Sequence, residues 1–175
     1  MDSLLEILSI DTNSVTKTFK KKEILQKQGV ISKNAFYVKK GLIRSYSIDE
    51  KGKEHIFMFG AEGWIIADLE SIEFNKLTEL YIDCIEDSEI FVFSLDYFKA
   101  NLMSKENHQK NLKLLARRIG SLQRRVIQLM SSSAKKRYEI FLETYPQLPN
   151  RLSQKMIASY LGITPESLSK IRGEL

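Results

Sequence analysis

Between Leu152 and Glu174 the chain carries two short apolar stripes separated by a glycine, a pattern that limits this segment to two packed helices joined by a tight turn. From Gln154 to Ile171 the apolar side chains fall at Ile157, Leu161, Ile163, Leu168 and Ile171, enough to bury one face of each helix. Ala158 is small where one helix axis must cross the other. Gly162 follows Leu161, where a chain leaving a helix needs the positive φ that a side chain opposes. Thr164 then caps the second helix, and Pro165 sits in its first turn, where a missing N–H costs nothing.

The second helix turns Glu166, Ser167, Ser169, Lys170 and Arg172 outward. These are short or charged hydrogen-bonding groups of the types that reach base edges and phosphates in a major groove. A plain helical hairpin would share the apolar spacing and the glycine, so it is the outward face that favours double-stranded DNA as partner. The residues expected against the duplex are Ser153, Gln154, Thr164, Pro165, Glu166, Ser167, Ser169, Lys170 and Arg172.

Charge is distributed in keeping with that expectation. Residues 1–100 hold 13 Lys and Arg against 17 Asp and Glu, a balance of −4, whereas residues 101–175 hold 14 against 5, a balance of +9. A phosphate-binding surface requires such a concentration, although a solvated helical surface can also be basic. With 43% apolar residues in 175, the chain can bury a core in one large domain or two small ones. It lacks an apolar run of the ~20 residues that span a bilayer, and its start lacks the basic-then-apolar order of a signal peptide, so the expected location is the cytoplasm.

Cys84 is the only cysteine, which rules out an internal disulfide and a thiolate-held zinc or iron–sulfur site built from this chain alone. It lies in the run Leu80 to Ile85 and reads as a buried, inert thiol. His55 and His108 are isolated and are not read as ligands, so no metal and no cofactor is expected.

Residues 17–95 read as β structure: Ala35 to Val38, Leu42 to Ile48, His55 to Phe59, Leu80 to Ile85 and Ile90 to Leu95 are short apolar or aromatic stretches separated by turn residues. Asp49-Glu50-Lys51-Gly52 reads as a hairpin turn, and Gly29, Gly41, Gly60 and Gly63 punctuate strands as in a rolled antiparallel sheet. A short amphipathic helix through Leu4, Leu5, Ile7 and Leu8 is expected before it.

From about Asp96 the period becomes helical. Leu112, Leu115, Ile119, Leu122, Val126 and Leu129 recur at alternating steps of three and four, an a/d seam along which two copies would zip into a homodimer. The seam spans about two and a half heptads, and Gly120 in its middle costs about 1 kcal/mol relative to alanine. The same stripe would also suit a helix packed only on its own β domain. In the heptad register Arg118 and Arg125 take g positions, facing e positions Gln123 and Met130 of a parallel partner. Ser131-Ser132-Ser133 reads as a hinge, Ala134 to Thr144 as a further helix with Tyr138, Phe141 and Leu142 on one face, and Tyr145 to Pro149 as its end.

A glycine-punctuated β region, a long helix and a C-terminal helix pair, in this order, resemble the Crp/Fnr family of bacterial transcription regulators. The resemblance rests most on Lys20 to Gly63 and on Ile157 to Arg172, the latter in the form seen in Bacteroidetes-type members. It implies an α+β fold: an N-terminal double-stranded β-helix, jelly-roll-like, as sensor; a long dimerisation helix at about 96–130; and a winged-helix-like helix-turn-helix domain at 131–175, with the sensor and dimer helix together spanning 1–130. The family normally carries a β wing after the recognition helix; the sequence runs to Leu175, so the wing is either missing or was never present.

In members that bind cyclic AMP, a Gly-Glu pair holds the ribose and an Arg-Ser pair the cyclic phosphate. The resemblance puts Ala67-Asp68, just after Gly63, at the first pair and about Thr78-Glu79 at the second, with the family's adenine-contacting Thr-Ser near Leu122-Gln123. A carboxylate would then stand where the phosphate should sit, and the pairing arginine is absent, so a roll that does not bind cyclic nucleotide is implied. Any small-molecule effector is left unidentified. On the recognition helix Glu166 matches the family's Glu, Pro165 replaces an Arg before it, and Lys170 replaces the Arg four residues later. Two other functions compete with a DNA-binding regulator: a cyclic-nucleotide or other small-ligand sensor whose C-terminal helices bind a protein partner, and an enzyme on a cupin-like barrel, for which His55 alone does not supply the metal ligands.

Overall fold

A computed structural model describes residues 16–94 and 108–174. The expected N-terminal amphipathic helix and the part of the long helix before His108 lie outside the described residues. The chain divides into two compact units, one of residues 1–47 and 57–114 and one of residues 48–56 and 115–175.

The first unit is built on eight strands, β1 (Thr16–Phe19), β2 (Ile24–Gln26), β3 (Asn34–Lys40), β4 (Ile43–Ile48), β5 (Glu54–Gly60), β6 (Ile65–Ile66), β7 (Tyr81–Cys84) and β8 (Ser88–Ser94), the β4–β5 tip belonging to the second unit. They form two four-stranded sheets, ordered β1-β8-β3-β6 and β2-β7-β4-β5. Every described pairing is antiparallel. Because successive side chains on a strand point to opposite faces, β3 sends Phe36 and Val38 one way and Ala35 and Tyr37 the other. Phe36 and Val38 pack with Ile66, Ile90, Ile43, Ile82 and Cys84, side chains from both sheets, in the interior of a roll. Ala35 and Tyr37 pack with Ile65, Phe91 and Phe93 on the opposite face.

Five of the strands answer to the apolar stretches read from the sequence. β1, β2 and β6 do not, and neither does the short helix α1 (Leu69–Phe74). Asp68 caps α1 by accepting from the Ser71 amide at 3.1 Å, and Asn75 closes it in the left-handed region. Gly41 joins β3 to β4 at φ +105°, and a Cβ there would lie 2.8 Å from the Ser88 Cα, so both backbone conformation and space require glycine.

β4 and β7 bring Arg44 opposite Asp83 in register. Arg44 Nε and Nη2 donate to the two Asp83 carboxylate oxygens at 2.8 and 2.9 Å, both residues being buried. The guanidinium also lies 4.1 Å from the centroid of the Tyr46 ring. A buried charge persists only when paired in this manner. Cys84 is buried, and desolvation pushes its thiol up to about 11, which leaves it protonated at neutral pH.

The long helix α2 (His108–Ser131) ends in a two-residue break, after which α3 (Ala134–Thr144), α4 (Gln154–Leu161) and α5 (Pro165–Gly173) follow. Ser133, Ser153 and Thr164 cap α3, α4 and α5 respectively, each accepting an amide from three residues ahead. The three helices close on Tyr138, Phe141, Leu148, Leu152, Ile157, Ala158, Leu161, Leu168 and Ile171, all buried. Arg137 Nη1 donates to the Ser132 carbonyl at 2.9 Å, satisfying a carbonyl at the break.

Candidate nucleic-acid interface

α4 and α5 meet at Gly162, which takes φ +66° and ψ 38°. Its amide and that of Ile163 return to carbonyls in the last turn of α4, and α5 starts three residues later with Pro165 in its first turn. Ile157, Ala158 and Leu161 from α4 and Leu168 and Ile171 from α5 are buried, which leaves the other face of α5 to solvent.

On that face Glu166, Ser169 and Lys170 are exposed, spaced three and four residues apart, so they form one stripe along the helix. Hydrogen bonds from its own amide and from the Thr164 hydroxyl hold the Glu166 carboxyl below the usual carboxylate range. Glu166 is therefore an ionised acceptor at neutral pH, and Lys170, one turn on, is a point-charge donor.

The other expected contacts are engaged within the unit. Ser153 and Thr164 accept amides as caps, and the Ser167 hydroxyl lies 3.1 Å from that of Thr164. Gln154 Nε2 donates to the Pro165 carbonyl at 2.8 Å and so ties the start of α4 to the start of α5. Arg172 Nε donates to the Tyr138 hydroxyl at 2.9 Å, which joins α5 to α3.

Ser159, which the sequence reading did not single out, and Arg125, which it placed at a helix–helix interface, connect this helix pair to the rest of its unit. The Ser159 hydroxyl donates to the Glu54 carbonyl at 2.8 Å and accepts the Ile56 amide at 3.0 Å. Arg125 Nη2 donates to the carbonyls of Ile56 and Tyr160, at 3.1 and 2.9 Å. The expectation that Arg125 faces a partner's e position is corrected by these bonds, which take its guanidinium to α4 and the β4–β5 hairpin of its own chain. Phe141, Tyr145 and Tyr160 form a contiguous aromatic cluster, with ring centroids 5.6–6.2 Å apart.

The seam residues of α2 are open. Leu112, Ile119 and Val126 are 61, 57 and 54% exposed, and Leu115 and Leu129 are exposed as well, with Leu122 half-buried. Ile127 and Met130 add further exposed apolar surface to the same helix.

In the first unit, two of the residues aligned with a nucleotide pocket, Asp68 and Thr78, bond to each other. Gly63 adopts φ +83°. The Thr78 hydroxyl donates to Asp68, accepts from Gln26 Nε2 at 3.1 Å and accepts the Leu80 amide at 3.0 Å. Ser32 donates to Gln26 at 2.7 Å, extending the network among buried side chains. Ala67 packs against the Tyr37 cluster, and Glu79 is exposed. Leu122 and Gln123, aligned with the adenine contacts, lie in the second unit. Among the described residues no three His, Cys, Asp or Glu side chains gather to hold a metal ion, and no helix is long and apolar enough to cross a membrane.

Comparison with known proteins agrees with this architecture. The cyclic nucleotide-binding domain family matches residues 16–105. The regulatory protein HlyX of Actinobacillus pleuropneumoniae is 27% identical over 173 residues, covering 90% of this chain. The chain spans 65–70% of the length of the curated relatives it matches. FixK2 from Bradyrhizobium japonicum superposes with a TM-score of 0.76 at 20% identity, covering 92% of this chain and 84% of that one. TTHA1359 from Thermus thermophilus, a transcriptional regulator of the CRP/FNR family, superposes at 0.73 with 19% identity, covering 92% and 85%. On its β-roll and the match over residues 16–105, the chain belongs to the cyclic nucleotide-binding domain family.

Proposed function

We propose that this chain acts as a homodimer in the cytoplasm and binds double-stranded DNA through α5, without responding to cyclic AMP. The observation that carries the reading is the exposed Glu166, Ser169 and Lys170 stripe on a helix whose other face is buried. In this reading α4 and α5 form a helix-turn-helix within a DNA-binding domain of residues 131–175, and residues 1–130 supply the sensor and the dimer helix. Glu166 accepts from a cytosine N4 and Lys170 donates to a guanine or phosphate on the same groove edge. Lysine offers a point charge where arginine would offer a planar fork, so the target sequence departs from that of arginine-bearing members.

The exposed α2 seam supports pairing of two copies, which would set two α5 helices into successive major grooves about 34 Å apart. The Asp68–Thr78 bond supports the loss of cyclic-nucleotide response: a carboxylate borders the position aligned with the phosphate, and the hydroxyl there already has its partners. Selection of bound sequences from a random duplex pool tests the reading. A two-fold symmetric consensus is expected, and absence of any retained sequence at low salt overturns it. Calorimetry with cyclic AMP and cyclic GMP is expected to give no heat. Binding of either nucleotide by a chain that retains no duplex would favour instead a sensor whose helices dock a protein.

A further inference from the structure

We propose that Arg125 and Ser159 are positioning residues: together they pin the β4–β5 hairpin and α4 to the dimer helix α2, so that the direction of the reading helix α5 is set by this junction rather than by the Ser131 to Ser133 linker alone. The inference rests on the DNA-binding reading above.

β5 is the edge strand of its sheet, and alternate backbone groups of an edge strand face away from the sheet with no ladder partner. At the tip of β5 those groups are the Glu54 carbonyl and the amide and carbonyl of Ile56. Ser159 takes the first two and Arg125 the third. A strand edge that would otherwise bond to water is therefore closed by one residue from α4 and one from α2.

Arg125 does a second thing with the same nitrogen. Tyr160 lies in the last turn of α4, where helix carbonyls lack an intrahelical partner and carry the negative end of the dipole. Arg125 donates to the Tyr160 carbonyl and lays its plane over the Tyr160 ring, 3.6 Å from the centroid. Its charge, its donors and its flat face thus tie two elements, β5 and α4, to its own helix at once. The covalent path from α2 to α4 runs through the break at Ser132 and Ser133, all of α3 and the loop after it. Arg125 crosses that path directly. A rotation of α4 about the break must lose the contacts at Tyr160 or those at Ile56.

Two variants of the full chain test this, Arg125→Met and Ser159→Ala. The first removes charge, donors and plane but keeps length; the second removes only the hydroxyl. The Ile56 amide, followed by hydrogen exchange without DNA, is expected to exchange about tenfold faster in Ser159→Ala, which removes its acceptor, and faster by a smaller factor in Arg125→Met, which frees the neighbouring Ile56 carbonyl and so loosens the strand edge. Binding to duplexes whose two half-sites are set one base pair closer or further apart is the second readout. The parent chain is expected to prefer one spacing; Arg125→Met is expected to bind an isolated half-site as before while losing most of that preference, and Arg125→Lys to restore it only in part, because an ammonium cannot stack and serve two carbonyls. An unchanged Ile56 exchange rate in both variants overturns the junction. A retained spacing preference in Arg125→Met overturns its positioning role. Failure of the parent chain to bind any duplex would sink the functional reading instead, and the exchange measurement would still decide whether the junction exists.

Discussion

The guanidinium of Arg125 sits 3.6 Å from the centroid of the Tyr160 ring and donates to the Tyr160 carbonyl at 2.9 Å. Tyr160 in turn meets Phe141 and Tyr145 with ring centroids 5.6 and 6.2 Å away, so one aromatic side chain supports a cation on one side and the α3 core on another. Replacing Tyr160 by Leu removes the cation–π contact and the aromatic pairs, together worth about 1–3 kcal/mol. Tyr160→Phe keeps the ring and is expected to lose less. Thermal unfolding of the two variants beside the parent checks the ordering, and an equal loss in both would assign the effect to the hydroxyl.

The Arg172–Tyr138 bond separates two ways in which an arginine on α5 can matter. If Arg172 contacts a phosphate, Arg172→Met weakens all duplexes together and flattens the salt dependence of binding by about 0.9 in the log–log slope. Tyr138→Phe, which only releases the Arg172 side chain, is expected to weaken binding with the slope unchanged and to add nothing in the Arg172→Met background. Lys170→Glu is expected to behave differently again, abolishing or redirecting sequence preference while the dimer stays intact. Titrations at several salt concentrations with matched and mismatched duplexes distinguish the three.

Much of this arrangement was legible in the sequence where the chemistry is local. Gly162, Thr164 and Pro165 act within a few residues of themselves, and the structure puts the α4 end, the α5 cap and its first turn at those positions. Periodicity likewise located α3 and five strands. β6 has two residues and α1 six, too few for a period to register. Polar pairs between distant residues left no trace at all: Ser159 and Glu54 are 105 residues apart, Arg44 and Asp83 39. Arg125 was misassigned for the same reason, since a heptad register says where a side chain leaves the helix but not which carbonyl it finds. Asp68 and Thr78, assigned to two different sub-sites by the family resemblance, are bonded to each other because α1 is short enough to bring its cap beside the start of the next strand.

Asp83 offers a test of the roll's interior. It is 7% exposed and accepts two bonds from Arg44, itself 7% exposed. Asp83→Leu leaves a buried guanidinium without its carboxylate and is expected to destabilise the first unit by about 3–5 kcal/mol. Replacing both, Arg44→Met with Asp83→Leu, is expected to recover much of that loss, because two apolar groups of similar size leave no charge stranded. Denaturant unfolding of the single and double variants measures the difference.

The β4–β5 turn is organised by one carboxylate. Asp49 pairs with His55 Nε2 at 2.8 Å and accepts the Lys53 and Lys51 amides at 2.9 Å each, and these bonds, the His55 contact foremost, hold its carboxyl below its ordinary 3.8. A lowered folded pKa means the ionised form is favoured by folding, so the contribution is fully present above about pH 5 and is lost as pH falls through the folded value. The Lys51 and Lys53 amide resonances are therefore expected to shift with a midpoint below 3.8. In Asp49→Ala that transition should vanish from both amides.

The α2 seam yields the test of assembly. Ile119 is 57% exposed at the centre of a stripe that continues through Leu115 and Leu122. Apolar side chains at a and d positions stabilise a helix pair by being removed from water on both sides, and a charge there is left unpaired when the pair closes. Ile119→Arg is expected to sediment as a monomer and to bind a two-fold duplex no better than a single half-site. Gly120 lies beside it with only Arg124 Nη1, 3.6 Å away, near the position of an added Cβ, so alanine fits without strain. Gly120→Ala is expected to stabilise α2 by up to about 1 kcal/mol and to strengthen the dimer. Sedimentation of the parent and both variants across a concentration series resolves the question: a parent chain that is monomeric throughout would overturn the dimer, and an Ile119→Arg chain that still pairs would place the dimer contact elsewhere on the molecule.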